Sequence, residues 1–176
     1  MRLLKAELRE LYRNKVKGGF TSDLIDSSVR LLNDGTDSKY IDVCMLDGKQ
    51  VVRKICKSKK QYLRELNNLL TLADFAYTPK VIKQDDENLV IIMEYKGKSL
   101  VEMFNKTSDR VKFLPQIKIA NDALLKEYGM YHNDLKWKNI TILDDVAYLV
   151  DVIRTSTKKT DTDSEKIIER IKEAII

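Results

Sequence analysis

Between residues 40 and 56 apolar and polar positions alternate with a period of two. Tyr40-Ile-Asp-Val-Cys-Met-Leu46 reads as a strand, Asp47-Gly48 as a tight turn and Gln50-Val-Val-Arg-Lys-Ile-Cys56 as the partner strand. Successive strand side chains face opposite sides, and Asp-Gly supplies the left-handed backbone that a two-residue hairpin turn needs. Upstream, Asn33-Asp34-Gly35-Thr36-Asp37-Ser38 is a cluster of turn formers, and 23–32 fits either a short helix or the lead-in to a strand. Residues 31–56 therefore read as strand, loop, strand, tight turn, strand. The period then lengthens. Leu63, Leu66, Leu69, Leu70 and Leu72 recur at helical spacing within 58–73, with Ser58 placed to cap the helix. Thr78-Pro79 ends that region. Val81-Ile82 and Leu89-Val-Ile-Ile-Met93 are β-rich runs on either side of the turn-like Asp85-Asp86-Glu87-Asn88. Glu94-Tyr95-Lys96-Gly97 reads as a linker. Helical patterns cover about 99–106 and 109–128, and Gly129 is placed to stop the second. Ile140–Leu143 and Ala147–Val150 form a hairpin across Asp144-Asp145, and 163–176 reads as a closing helix.

That order predicts an α+β fold: a mostly antiparallel β-lobe carrying one helix, a linker, and a helical lobe with a small hairpin. A cleft between two lobes is a natural place for a ligand. Composition adds little to this and excludes some classes. With 34% charged residues, six glycines and two prolines in 176 residues, the chain reads as ordered and helix-rich. No apolar run approaches the ~20 residues of a membrane span, and Met1-Arg-Leu-Leu-Lys-Ala-Glu7 has no signal-peptide core. Cys44 and Cys56 lie in β-like stretches without metal-ligand spacing, so buried thiols in an intracellular, cytoplasmic setting are expected. The net charge of +5 is mild. Its one concentrated source is residues 1–17, where Arg2, Lys5, Arg9, Arg13, Lys15 and Lys17 outnumber Glu7 and Glu10. Leu4, Leu8, Leu11 and Tyr12 recur there at helical spacing, which predicts an amphipathic helix docked by its Leu face and broken at Gly18-Gly19. Nucleic acid is not the expected partner and would be an accessory one.

The chemistry concentrates in His132-Asn133-Asp134-Leu135-Lys136-Trp137-Lys138-Asn139-Ile140, followed by Tyr148-Leu149-Val150 ending on Asp151. The constellation is H-x-D-x-x-x-x-N plus an aliphatic strand and a second Asp. Asp134 is suited to orient a hydroxyl nucleophile and accept its proton. Asn139 and Asp151 are hard oxygen ligands suited to Mg²⁺ on the phosphates of ATP. Their 12-residue separation fits the two strands of a hairpin. His132 is the only histidine, and a lone His is more often structural than catalytic.

Over roughly residues 31–153 the chain resembles the protein kinase superfamily. Val51-Val52-Arg53-Lys54 is similar to the V-A-I-K strand, which implies that Lys54 reaches the α- and β-phosphates and pairs with a Glu on the next helix; Glu65, 11 residues on, is the candidate. Met93-Glu94-Tyr95 resembles the hinge, which implies adenine binding by backbone groups with Met93 as gatekeeper. Lys136, two residues past Asp134, resembles the Ser/Thr branch and implies a cation on the transferred phosphoryl group. The implied fold is bilobal and kinase-like, as a single domain: a helical extension over 1–28, an antiparallel N-lobe over 29–94 and a reduced, mostly helical C-lobe over 95–176.

Three departures mark it as a minimal member, similar to small RIO-type and lipopolysaccharide-core kinases. The phosphate loop Asp34-Gly35-Thr36-Asp37-Ser38-Lys39 holds one glycine, so Gly35, Ser38 and backbone amides are left to reach phosphate. Asp151 is followed by Val152-Ile153 instead of Phe-Gly. Only 25 residues follow Asp151, without an A-P-E motif or a peptide platform. Asn133 stands where many kinases carry the Arg that grips a phosphorylated activation segment. Thr155, Ser156, Thr157, Thr160 and Thr162 accordingly read as a solvated linker and not as a phospho-switch. The expected function is an ATP- and Mg²⁺-dependent phosphotransferase acting on protein Ser or Thr. A small-molecule or sugar kinase on the same core is the second reading, favoured by the missing platform. A silent pseudokinase module is the third, opposed by the joint presence of Lys54, Glu65, Asp134, Asn139 and Asp151.

Overall fold

A computed structural model describes residues 25–31, 38–160 and 169. Asp47 and Gly48 both take positive φ, 50° and 74°, and turn β2 (Ser38–Leu46) into β3 (Lys49–Cys56). β1 (Ile25–Leu31) pairs antiparallel with β2, so the stretch open to helix or strand is a strand. With β4 (Val81–Asp85) and β5 (Val90–Glu94) these make an antiparallel sheet of order β1-β2-β3-β5-β4. The alternation along β3 and β5 separates two apolar clusters. Val52, Cys56, Ile91 and Met93 face the main core, while Val51, Ile55, Val90 and Ile92 join Tyr40, Cys44 and Leu46 on the other face. On that second face Asp42 is neutralised by its cross-strand neighbour Arg53, whose guanidinium donates to both carboxylate oxygens at 3.1 and 2.7 Å. Both cysteines are buried free thiols, and burial pushes the Cys44 thiol up to about 11.

α1 (Lys59–Thr71) begins where the sequence places its cap: the Ser58 hydroxyl accepts the Gln61 N–H at 3.3 Å. Tyr62, Glu65, Leu66 and Leu69 are its buried positions, whereas Leu63 and Leu70 are exposed. At 3.6 residues per turn one stripe alone can face the core, and Tyr62 and Glu65 take the places that a leucine pattern assigns elsewhere. The helix expected over 99–106 is only α2 (Leu100–Met103), because Phe104 adopts extended backbone. The Arg110 guanidinium binds the Phe104 carbonyl at 3.0 and 2.7 Å and fixes that break. α3 (Thr107–Arg110) and a 3-10 turn (Val111–Phe113) lead into α4 (Leu114–Tyr128). Gly129 ends α4 with φ 62° and returns its N–H to the Leu125 carbonyl at 2.9 Å.

A second antiparallel sheet contains β6 (Lys98–Ser99), β7 (Ile140–Leu143) and β8 (Val146–Leu149). Asp144 and Asp145 turn β7 into β8 with φ of 50° and 60°. The described architecture is thus mixed α+β with antiparallel sheets, and no described helix is long and apolar enough to cross a membrane. The amphipathic 1–17 segment, the Gly18-Gly19 break, Gly35, Thr162 and, apart from residue 169, the 163–176 stretch lie outside the described residues.

Gly97 pins the linker between the two sheets. It has φ +85°, and a Cβ there would lie 1.8 Å from the Ile142 carbonyl oxygen of β7. Overpacking against backbone costs about 1–3 kcal/mol, and a left-handed non-glycine residue adds roughly 1–2 kcal/mol. Gly97→Ala is therefore expected to lose about 3 kcal/mol in denaturant unfolding. Gly48→Ala, at a φ of +74° with nothing within 4 Å, should lose only the conformational part. Equal losses for the two would show that the close approach at β7 does not matter.

Candidate active site

Two clusters of polar side chains are built from four segments: β3, α1, the loop 132–139 and the turn at Asp151. The first centres on Lys54, whose side chain points from β3 toward α1 and is buried, with the residue 3% exposed. Its ammonium lies 2.7 and 2.6 Å from the Glu65 carboxylate oxygens and 2.9 Å from Asp151 Oδ1. Burial works against the ammonium, but the two carboxylates outweigh it and hold Lys54 above its ordinary value. Burial likewise works to raise the Asp151 carboxyl. The Lys54 ammonium, with smaller help from His132 and Lys138, holds it below the usual carboxylate value. Lys54 and Asp151 are both charged at neutral pH.

Asp151 itself has left-handed backbone, φ 61° and ψ 53°, and opens the 3-10 turn Val152–Arg154. Such backbone costs a non-glycine residue on the order of 1–2 kcal/mol and is kept where surrounding bonds over-determine it. Those bonds are present. His132 Nε2–H donates to the Val150 carbonyl at 3.0 Å, and the Val150 N–H donates to the Asn139 carbonyl at 3.0 Å. From the other side Asn68, one helical turn beyond Glu65, donates its amide to the carbonyls of Val152 (2.7 Å) and Thr155 (3.0 Å). α1 is thereby tied to the turn after Asp151. His132 is thereby bonded to the backbone directly before Asp151.

The second cluster belongs to the loop that Leu135 anchors in the core. Asn139 is buried, and its Nδ2 donates to both the Asp134 carbonyl and Asp134 Oδ2, each at 2.9 Å. That leaves the Asn139 carbonyl Oδ1 to act as an oxygen ligand. Lys136 Nζ lies 2.5 Å from Asp134 Oδ1. The Asp134 carboxylate is therefore held at both oxygens, by an amide and by an ammonium. Val150, directly before Asp151, is bonded to Asn139, so the two clusters are joined through backbone.

The remaining expected site residues are placed less tellingly. Met93 is buried in β5 opposite Val52; by the period of two it shares a face with Ile91, the residue opposite Lys54. Glu94 ends β5, and its carboxylate accepts the Lys80 N–H at 3.1 Å and pairs with Lys96 at 2.9 Å. Tyr95 follows, half-buried, and takes part in none of the loop backbone hydrogen bonds found among the described residues. Ser38 is buried at the start of β2 opposite Cys56, and its hydroxyl has no partner among the described residues. The solvated linker expected after Asp151 is corrected in its first half. Thr155 is buried, and Ser156 is half-buried and bridged to Tyr131 by backbone bonds of 2.8 and 3.1 Å. Apart from Arg154, the segment is exposed only from Thr157 to Thr160.

Sequence reasoning missed Asn68 as a site-building residue. Its signal was a polar side chain three positions past Glu65, on the same helical face. A Mg²⁺ ion fits the donor set. Asp151, with its side chain 30% exposed, and the Asn139 carbonyl are hard oxygens of the kind Mg²⁺ takes. Among the described residues no three His, Cys, Asp or Glu side chains form an all-protein cage. Mg²⁺ bound with a nucleotide needs only one or two carboxylates and keeps its waters. Compared with known proteins, the sequence matches no protein-family model and none of the curated proteins significantly.

Proposed function

We propose that this chain is a phosphotransferase of the protein kinase-like superfamily. In this reading the five-stranded sheet with α1 is one lobe, and the segment from Tyr95 onward is a reduced second lobe. It moves the γ-phosphoryl group of ATP to a hydroxyl, with a protein Ser or Thr as the first acceptor and a small hydroxylated molecule as the second. The observation that carries the reading is the buried bridge from Lys54 to Glu65 and Asp151, at 2.6–2.9 Å, which joins residues up to 97 positions apart. A buried ammonium between two carboxylates costs desolvation and is weak support for stability. It is strong support for a site that must present one positive and one negative group to a polyphosphate and its metal.

The chemistry follows from what each side chain can do. Lys54 binds phosphate oxygens and is aimed by Glu65. Asp151 and the Asn139 carbonyl would hold Mg²⁺, which when bound neutralises phosphate charge and fixes phosphate geometry. Asp134 orients the acceptor hydroxyl. As the new O–P bond forms, its carboxylate takes the hydroxyl proton, the bond from the γ-phosphorus to the bridging oxygen breaks, and ADP leaves. Lys136 is 39% exposed, so its ammonium is also within reach of solvent and of a transferred phosphoryl group bound beside Asp134. Backbone groups around Glu94 and Tyr95 are the adenine-binding candidates, and Gly35 and Ser38 remain the candidates on the phosphate side.

The test is incubation with γ-labelled ATP, with and without Mg²⁺, against lysate proteins and a panel of sugars. Label on protein supports the first acceptor and label on a sugar the second; absence of both, with intact binding, makes the chain a pseudokinase. Binding is read separately by thermal unfolding. A ligand at 100 times its Kd stabilises the folded state by about 2.7 kcal/mol. ATP with Mg²⁺ is expected to approach that shift and ATP alone to fall well short. Equal shifts, or none, would count against the site.

A further inference from the structure

Asn133 precedes Asp134 and has left-handed backbone, φ 58°. Its side-chain amide does not point into the two clusters. It turns instead to the segment that follows Asp151. Nδ2 donates toward Ser156 Oγ (2.9 Å), the Lys158 carbonyl (2.9 Å) and the Arg154 carbonyl (3.2 Å), while Oδ1 accepts the Thr160 N–H at 2.8 Å. Two hydrogens serve three acceptors, so the longest contact is the weakest. The Ser156 hydroxyl closes the network by donating to the Lys158 carbonyl at 2.8 Å. One amide thus touches four residues of a seven-residue stretch, including the part from Thr157 that is otherwise exposed.

We infer that Asn133 is a positioning residue that holds segment 154–160 against the loop carrying Asp134, so that the acceptor side of the site is assembled without any phosphate on the chain. The inference rests on the phosphotransfer reading for its consequence, though not for the clamp itself. The position makes two demands. The backbone must be left-handed, which Asn tolerates better than most residues. The side chain must offer donors and an acceptor in one plane, which an amide does and a carboxylate does not. Gly meets the first demand and Asp mainly the first, with half of the second; Asn meets both. Where an arginine would wait for a phosphorylated segment, this amide binds the unmodified backbone directly. Asn68 holds the first part of the same stretch from α1, so Asp151 is flanked by segments fixed from two directions.

The clamp is tested with Asn133→Gly, which removes the amide without straining the backbone, and with Asn133→Asp, which loses the donors. Hydrogen exchange is followed at the amides of 154–160, with those of α4 as an internal reference. Loss of the network should lower protection at Thr160 in Asn133→Gly by about fivefold or more, since a hydrogen bond contributes about 1 kcal/mol. α4 should be unaffected. In the phosphotransfer assay both variants should lose kcat by about tenfold or more while the KM for ATP stays within about threefold, because the metal and Lys54 side is untouched. Unchanged protection across 154–160 in both variants overturns the clamp. Lost protection with an unchanged kcat overturns the positioning role. Lost protection in a chain whose wild type transfers no phosphate upholds the clamp and overturns the phosphotransfer reading alone.

Discussion

Asp134→Asn should slow phosphoryl transfer by about a thousandfold, the middle of the range for a positioned general base, and leave Mg·ATP binding within a few-fold of wild type. The substitution is nearly isosteric. The Asp134 backbone carbonyl still receives Asn139 Nδ2, and the new side-chain carbonyl can take the second bond now made to Oδ2. What disappears is the negative charge that pairs with Lys136 and the oxygen that accepts the hydroxyl proton. Nothing in the Lys54–Glu65–Asp151 bridge changes, so nucleotide affinity should hold. Initial rates and KM for ATP, measured on the same preparation, separate the two effects. Full turnover in the variant would remove Asp134 from the chemistry. Equal loss of ATP affinity would move it to the metal.

Lys54→Met should abolish Mg·ATP binding and also cost stability in a pH-dependent way. Removing one partner of a buried ion pair typically costs about 3–5 kcal/mol, because the other charge is left uncompensated. Here Glu65 would be that group, 2% exposed, whereas Asp151 can turn its partly exposed carboxylate to water. In the wild-type chain the folded Asp151 carboxyl lies below its ordinary value. Its contribution is therefore present above the ordinary carboxylate range and lost as pH falls through the folded value. Lys54 lies above its ordinary value, so its contribution is complete below the ordinary lysine range and lost only as pH rises through the folded value. Both contributions are intact at neutral pH. In the variant Asp151 loses the cation that holds its carboxyl low, so the stability deficit against wild type should be full at neutral pH and shrink as pH falls through the carboxylate range. Urea titrations at neutral pH and at about pH 4 measure it. A deficit that is the same at both would mean that the lysine does not stabilise the Asp151 carboxylate.

The elements that depend on short-range backbone rules were legible from the chain. Asp47-Gly48, the Ser58 cap, the Gly129 stop and the Asp144-Asp145 turn all sit where expected, because each is set by the φ its residues tolerate or by a bond within one turn. The strands 40–46 and 50–56 pair in the expected antiparallel fashion because a two-residue turn leaves no other register. The same locality explains the errors. The pattern over 99–106 fits one helix, but Arg110 captures the Phe104 carbonyl and α2 stops after four residues. Leu63 and Leu70 share the leucine spacing, yet the sheet accepts the stripe that carries Tyr62 and Glu65.

The sequence carries the succession of elements and the compact group from His132 to Asn139, whose members are neighbours in the chain and are oriented by bonds such as Asn139 to Asp134. It also named Lys54, Glu65 and Asp151 as candidates by resemblance. Only the tertiary structure decided that they meet, since Lys54 and Asp151 are separated by 97 positions and their 2.9 Å contact is set by sheet register, the phase of α1 and the hairpin that delivers Asp151 together. It alone decided that Gly97 must be a glycine, because the carbonyl it meets belongs to Ile142, and that Asn68 and Asn133 hold the segment after Asp151. A residue's φ preference is a property of its own atoms, while its hydrogen-bond partners are supplied by whatever the rest of the fold brings within 3 Å of it.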